Sequence, residues 1–135
     1  MIHKSTWWAL ETAGWSVDVS DESTALTPCD AEEEAALVIS AYRKAAGTIA
    51  PEELWEMSGK GSPPSAARSE ICCGDFHGYH ARYDDEDGVH WRIWWLAQGA
   101  LHVYATFNCM LPDAGKHDAA LDWMLSTLRA VPHAG

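Results

Sequence analysis

The chain reads as an α+β fold: a twisted antiparallel β-meander of about six strands flanked by helices, an α-β-α sandwich. Three observations predict it. Residues 76–108 alternate apolar and polar side chains in three runs divided by turn signals. Residues 118–129 repeat apolar side chains at helical spacing. The 135-residue chain is 47% apolar with eight tryptophans, enough for one core and one domain, 1–135, without a disulfide or metal staple.

The elements follow in order. Residues 7–11 alternate weakly and open a sheet. After Gly14, the run Trp15-Ser16-Val17-Asp18-Val19-Ser20 has period two and places Trp15, Val17 and Val19 on one face. Asp21-Glu22-Ser23 is a turn, and Thr24 to Thr27 a short return strand before Pro28. Residues 30–42 admit two readings. Alanine and glutamate favour a capped helix, whereas Val38, Ile39 and Tyr42 favour a strand. A helix would spread Leu37, Val38 and Ile39 over three faces, so an acidic turn and a strand ending near Lys44 is preferred.

Pro51 suits a first helical position, and Glu52 and Glu53 suit the positive end of the helix dipole. Leu54, Trp55 and Met57 offer the apolar side of that helix, and Gly59 ends it. Residues 58–68, rich in Gly, Ser and Pro, form a loop within the domain. The meander follows, with strands near 76–83, 89–97 and 100–108. They are separated by Asp84-Asp85-Glu86-Asp87-Gly88 and by Gln98-Gly99. In the last helix Leu121, Met124, Leu125 and Leu128 form one stripe. Asp118 can cap its start and Arg129 complements its end.

Alternation sorts the meander into two faces. Tyr79, Ala81, Tyr83, Val89, Trp91, Ile93, Trp95, Leu101, Val103, Ala105 and Phe107 form the core set. His80, Arg82, His90, Arg92, Trp94, His102, Tyr104 and Thr106 form the other. Pairing Tyr83 with Val89 keeps the sets apart in the first hairpin. In the second, a two-residue turn at Gln98-Gly99 mixes them, whereas a three-residue loop pairs Trp95 with Val103 and keeps them apart. The three-residue loop is therefore predicted. Trp91 and Trp95 then belong to the core and Trp94 to the opposite face. On that face His80, Arg82, His90, Arg92, Trp94, His102 and Tyr104 are the candidate partner-binding residues. The plainer alternative is the second side of a sheet, partly covered by the 51–59 helix, with arginines lying over indoles.

Catalytic motifs are not found. There is no Gly-x-Ser-x-Gly elbow, and Gly59-Lys60-Gly61-Ser62 lacks phosphate-loop spacing and precedes two prolines. Cys73 with His77 or His80 is a conceivable pair only by proximity in sequence. Cys72, Cys73, His77 and His80 lack zinc spacing, because adjacent cysteines on a strand point to opposite faces. The acidic run 84–87 lacks the alternating ligands of a calcium loop and reads as a solvated hairpin tip. No cofactor, metal or catalytic residue is assigned.

The net charge of −11 opposes nucleic acid and anionic membranes, and suits a basic partner or simply solubility. The N-terminal apolar run is too short for a signal peptide, and no stretch approaches the roughly 18 apolar residues of a membrane helix. Four cysteines without a framework suit a reducing compartment, so a cytoplasmic location is expected.

A resemblance spans most of the chain. Gly14-Trp15-Ser16-Val17 opens a strand, Ala36 to Lys44 holds another, and Ala50-Pro51-Glu52-Glu53-Leu54 begins a helix. Gly74-Asp75-Phe76-His77-Gly78-Tyr79 leads into the meander, and a helix ending Leu125-Ser126-Thr127-Leu128-Arg129 closes it. This order resembles the bacterial branch of the PsbP-like fold, which is shared with a Ran-binding nuclear import factor and with chaperones of type VI secretion effectors. The resemblance implies non-enzymatic protein binding. Its photosystem members act at a manganese site, for which this chain has no matching ligand set.

The expected function is a non-catalytic protein-binding domain: a bacterial chaperone, adaptor or immunity-type protein. It would recognise an effector, a toxin or another basic or amphipathic protein, with a homodimer left open. Acidity favours an immunity role through steering of a basic partner, and an open aromatic sheet face favours a chaperone. The alternative is a metal- or small-ligand-binding protein or enzyme using the histidine-rich face.

Overall fold

The computed structural model describes residues 1–29 and 35–132. Ten strands and two α-helices are seen among them. β1 (Ile2–Lys4) and β2 (Trp8–Glu11) form a hairpin, followed by β3 (Ser16–Val19), β4 (Thr24–Thr27) and β5 (Ala35–Arg43). Helix α1 (Pro51–Lys60) leads to β6 (Ala67–Cys73), β7 (Phe76–Asp84), β8 (Val89–Gln98) and β9 (Leu101–Met110). A 3-10 turn, Leu111–Asp113, then leads to α2 (Asp118–Ser126) and β10 (Arg129–Ala130).

The main sheet is open, antiparallel and seven-stranded, in the order β3-β4-β5-β9-β8-β7-β6. A separate three-stranded sheet, β1-β2-β10, joins α2 on one of its faces. The broad α+β expectation therefore holds. The strand reading of the 35–43 segment holds too, because Leu37 and Ile39 bury one face of β5. The acidic turn expected before it lies outside the described residues. Leu121, Met124 and Leu125 bury one face of α2 as expected, but the helix ends at Ser126, so Leu128 is buried just beyond it and Arg129 belongs to β10 rather than to the helix end.

The meander register differs from the expectation. The first hairpin pairs Tyr83 with Trp91 rather than Val89, closing on Glu86, Asp87 and Gly88. Asp85 organises this loop: its carboxylate accepts the Asp87 and Val89 N–H groups and the Trp91 indole N–H. That shift is by two residues, so faces are kept. The second hairpin is tighter than expected, with Gln98 opposite Leu101 around a two-residue turn of Gly99 and Ala100. Gly99 has φ 61°, the conformation a II′-type turn puts at its first position. Trp95 therefore pairs with Tyr104, and Trp94 with Ala105.

This turn exchanges the faces of β9 relative to β7 and β8. Trp94 lies with Val103, Ala105 and Phe107 in the larger core, under α2 and the three-stranded sheet. Trp95 lies with Ala81, Ile93 and Ala97 in a smaller core under α1, against Leu54 and Ile49. Alternation could not choose between the registers because β8 is central. Every residue from Arg92 to Ala97 is buried, so neither parity marks a solvent side. Trp94 is 1% exposed and is a core residue, whereas Trp91 is only half-buried.

Residues 67–73 form the edge strand β6, which overlaps the end of the loop expected at 58–68. Trp55 is 44% exposed, because a helical residue next to Leu54 is turned by about 100° from it. Asp118 does not cap α2; its carboxylate is taken by Arg82 and Arg92.

Candidate functional site

The seven residues expected on one face are divided by the second hairpin. His80, Arg82, His90, Arg92 and Trp94 share the α2 side of the sheet, while His102 and Tyr104 lie on the α1 side. Under α2, His80, Arg82 and Arg92 form a network with Asp118 and Asp122. Arg92 is almost fully buried, donating from Nε to His80 Nε2 at 3.0 Å. Its Nη1 reaches Asp118 at 3.1 Å and its Nη2 reaches Asp122 at 2.9 Å. Arg82 adds a second contact to Asp118 at 3.0 Å. The Arg92 guanidinium also lies 4.8 Å from the Trp94 ring centroid.

Chemically this network holds α2 to the sheet. Burial, then the cations Arg92 and Arg82, push the His80 pKa down to about 4, against the weaker opposing pull of Asp122 and Asp118. His80 is therefore a neutral acceptor near neutral pH. A cleft of about 320 Å³ beside it is lined by Cys73, Arg92, Trp94 and Asp122 among others. Burial raises the Cys73 thiol to about 12, so it stays protonated and is a poor nucleophile.

The other two histidines of the set are also engaged. His102 Nδ1 lies 2.8 Å from the Leu96 carbonyl oxygen, and burial lowers its pKa. His90 Nδ1 lies 2.6 Å from Asp84 Oδ1, while its buried Nε2 has no partner among the described residues. Cys73 and His80 lie on the α2 side, and Cys72 and His77 on the other, which separates the local Cys/His set. Among the described residues, no three His, Cys, Asp or Glu side chains come together as a metal site.

The α1 side is more open. Helix α1 packs on β7 and β8. Beyond it, Val38, Ser40, Tyr104 and Thr106 are half-buried and Tyr42 is 48% exposed. Along the outer flank of α1 runs a groove of about 540 Å³ lined by Pro51, Glu52, Trp55, Glu56 and Tyr79. Trp55 meets Tyr79 edge-on at 5.1 Å, and the Arg68 guanidinium stacks 3.6 Å from the Trp55 ring centroid. Arg68 Nη1 is anchored to Ser58 Oγ at 3.0 Å, which holds the indole in place.

Neither alternation nor charge pattern in the sequence marks this groove. The available signal was the spacing of Glu52, Trp55 and Glu56, which puts an indole between two carboxylates one turn apart. Its adjacency to Leu54 instead places Trp55 on the apolar side in the sequence. Of the residues expected to bind a partner, Tyr104 and His102 lie on this more open face of the sheet. Trp94, His80 and Arg92 are buried beneath α2.

No known protein family and no curated protein matches the sequence. A solved structure from Bacteroides thetaiotaomicron VPI-5482 is similar, with a TM-score of 0.70 at 17% identity. The match covers 98% of this chain and 48% of that one, so this chain spans about half the length of its structural neighbour. At that identity the likeness speaks to architecture alone, and the chain shares the antiparallel-sheet fold found in that Bacteroides protein.

Proposed function

We propose that this chain is a non-catalytic protein-recognition domain whose contact surface is the α1 side of the sheet. The partner would present a basic segment. One observation carries the reading: the exposed Trp55 lies against Tyr79 in a groove rimmed by Glu52 and Glu56. Arg68 already covers one face of the indole, and the remaining groove between Trp55, Tyr79 and the two carboxylates suits a lysine or arginine side chain flanked by apolar groups. The net charge of −11 would steer such a partner from a distance. Half-exposed Tyr42 and Tyr104 would extend the contact across the sheet.

Acidity at the groove favours an immunity or adaptor role over a general chaperone. The PsbP-like assignment belongs to the same reading, supported by an antiparallel sheet with a helix on each face and one face partly uncovered. Ligand chemistry at the histidines is disfavoured because His80 and His102 are spent on internal hydrogen bonds and the set is split between faces.

Affinity capture from the native host, followed by titration of the captured protein, tests the proposal. A basic protein should bind stoichiometrically. Trp55→Ala should weaken it roughly ten-fold or more, as expected for a central aromatic anchor, and Glu52→Gln with Glu56→Gln should remove much of its salt dependence. A captured partner indifferent to all three substitutions would exclude this surface. One tightly bound metal per chain would favour the ligand reading instead.

A further inference from the structure

The strand β6 forms one border of the seven-stranded sheet, and among the described residues nothing pairs with its outer edge. Such an edge carries a row of unpaired N–H and C=O groups and is a template for another strand. β6 contains no proline and no glycine, so its sequence does not prevent pairing. Its side chains decide what can pair.

A symmetric antiparallel pair has its two-fold axis perpendicular to the sheet, so residues directly opposite must share a face. Only registers centred on a residue satisfy this. Centring on Arg68 opposes two arginines, and centring on Glu70 opposes two glutamates, both destabilising across strands. Centring on Ser69 instead sets Arg68 opposite Glu70 of the second copy, and Glu70 opposite its Arg68. On the other face Ala67 meets Ile71, and the two Ser69 hydroxyls meet. Charge and apolar character thus match in this one register.

We propose that β6 is a homodimerisation strand, pairing two copies antiparallel about Ser69 so that their seven-stranded sheets become continuous. Arg68 uses Nη1 inside its own chain, to Ser58 and Trp55, and a guanidinium has further N–H donors for a carboxylate. Glu70 is exposed and makes no ion pair among the described residues. Because the pairing keeps like faces together, both α1 helices lie on one side of the joined sheet. The two Trp55 grooves would then form a bivalent surface, and the second copy's Glu70 would brace the arginine stacked on each indole.

Sedimentation equilibrium at physiological ionic strength, where repulsion between two acidic chains is screened beyond about 8 Å, reads the association. A concentration-dependent dimer is expected. Glu70→Arg should raise its dissociation constant about ten-fold or more, by placing arginines opposite arginines. The exchange Arg68→Glu with Glu70→Arg should restore the dimer, since the pairs are re-formed with reversed sign. Thermal melts of each variant separate lost association from lost folding, with Glu70→Gln as a milder substitute. A chain monomeric at every concentration, a dimer indifferent to Glu70→Arg, or failure of the exchange to restore pairing would overturn the proposal. None of these outcomes bears on partner capture at Trp55, which a monomer can perform.

Discussion

Trp94→Ala should destabilise the protein by about 3–5 kcal/mol, the range for truncating a buried aromatic. The indole is 1% exposed and packs in the larger core with Leu96, Val103 and Ala105. It also forms the platform beside which His80 sits at 5.1 Å and over which Arg92 lies. Truncation would leave a cavity and loosen the polar network that clamps α2. Trp95→Ala should have a cost of the same order through the opposite core, beneath α1. Trp91→Ala should cost less, because that ring is half-buried, although it loses the Asp85 hydrogen bond and the stack on Tyr83. Urea unfolding midpoints check the ranking. The three-residue loop predicts otherwise, with Trp91 and Trp95 costly and Trp94 within about 0.5 kcal/mol of neutral as a surface site.

Acidification should remove about 3 kcal/mol of stability between pH 6.5 and about 4, through His80 alone. Its native pKa is held at about 4, against an ordinary value of 6.5, first by burial and then by Arg92 and Arg82. In this window the unfolded chain binds the proton and the native chain does not, so stability falls as pH falls. Above pH 6.5 both states are neutral at this site and the contribution is complete. Below about 4 both are protonated and the loss ends. At about 1.4 kcal/mol per pKa unit the total follows. His80→Gln keeps an acceptor for Arg92 Nε but cannot take up a proton. Its stability curve should therefore be flatter than the wild type's across this window. Equal slopes in paired urea titrations would show that His80 is not the responsible group.

Much of the fold could be read without coordinates wherever one side of an element meets water. β4 buries alternate side chains, and α2 buries Leu121, Met124 and Leu125 along one face. The edge strand β6 was missed for a related reason. Exposed on most positions, Ala67 to Cys73 has no apolar period to detect, and only hydrogen bonding to β7 makes it a strand. Trp55 was misplaced because a helix of ten residues has little stripe to align, and Leu54 with Ser58 set its buried line.

The candidate site was less legible. Arg82, Arg92 and His80 were rightly grouped on one face, but neither alternation nor composition said that α2 would cover it. Asp118 and Asp122 are four residues apart on α2, which aims both carboxylates at the same patch. Their role as counter-charges for Arg92 emerges only when the helix is docked.

The amino-acid sequence by itself determined the class of this protein: its alternating meander, its closing amphipathic helix and its acidic, tryptophan-rich character. Each follows from local periodicity and composition, which act over a few residues. Tertiary structure alone decided which tryptophans are core and which meets solvent. That choice turned on a one-residue difference in the Gly99-Ala100 turn. In a strand buried on both faces, the competing registers differ in how two cores pack, and that energy belongs to contacts between residues distant in the chain.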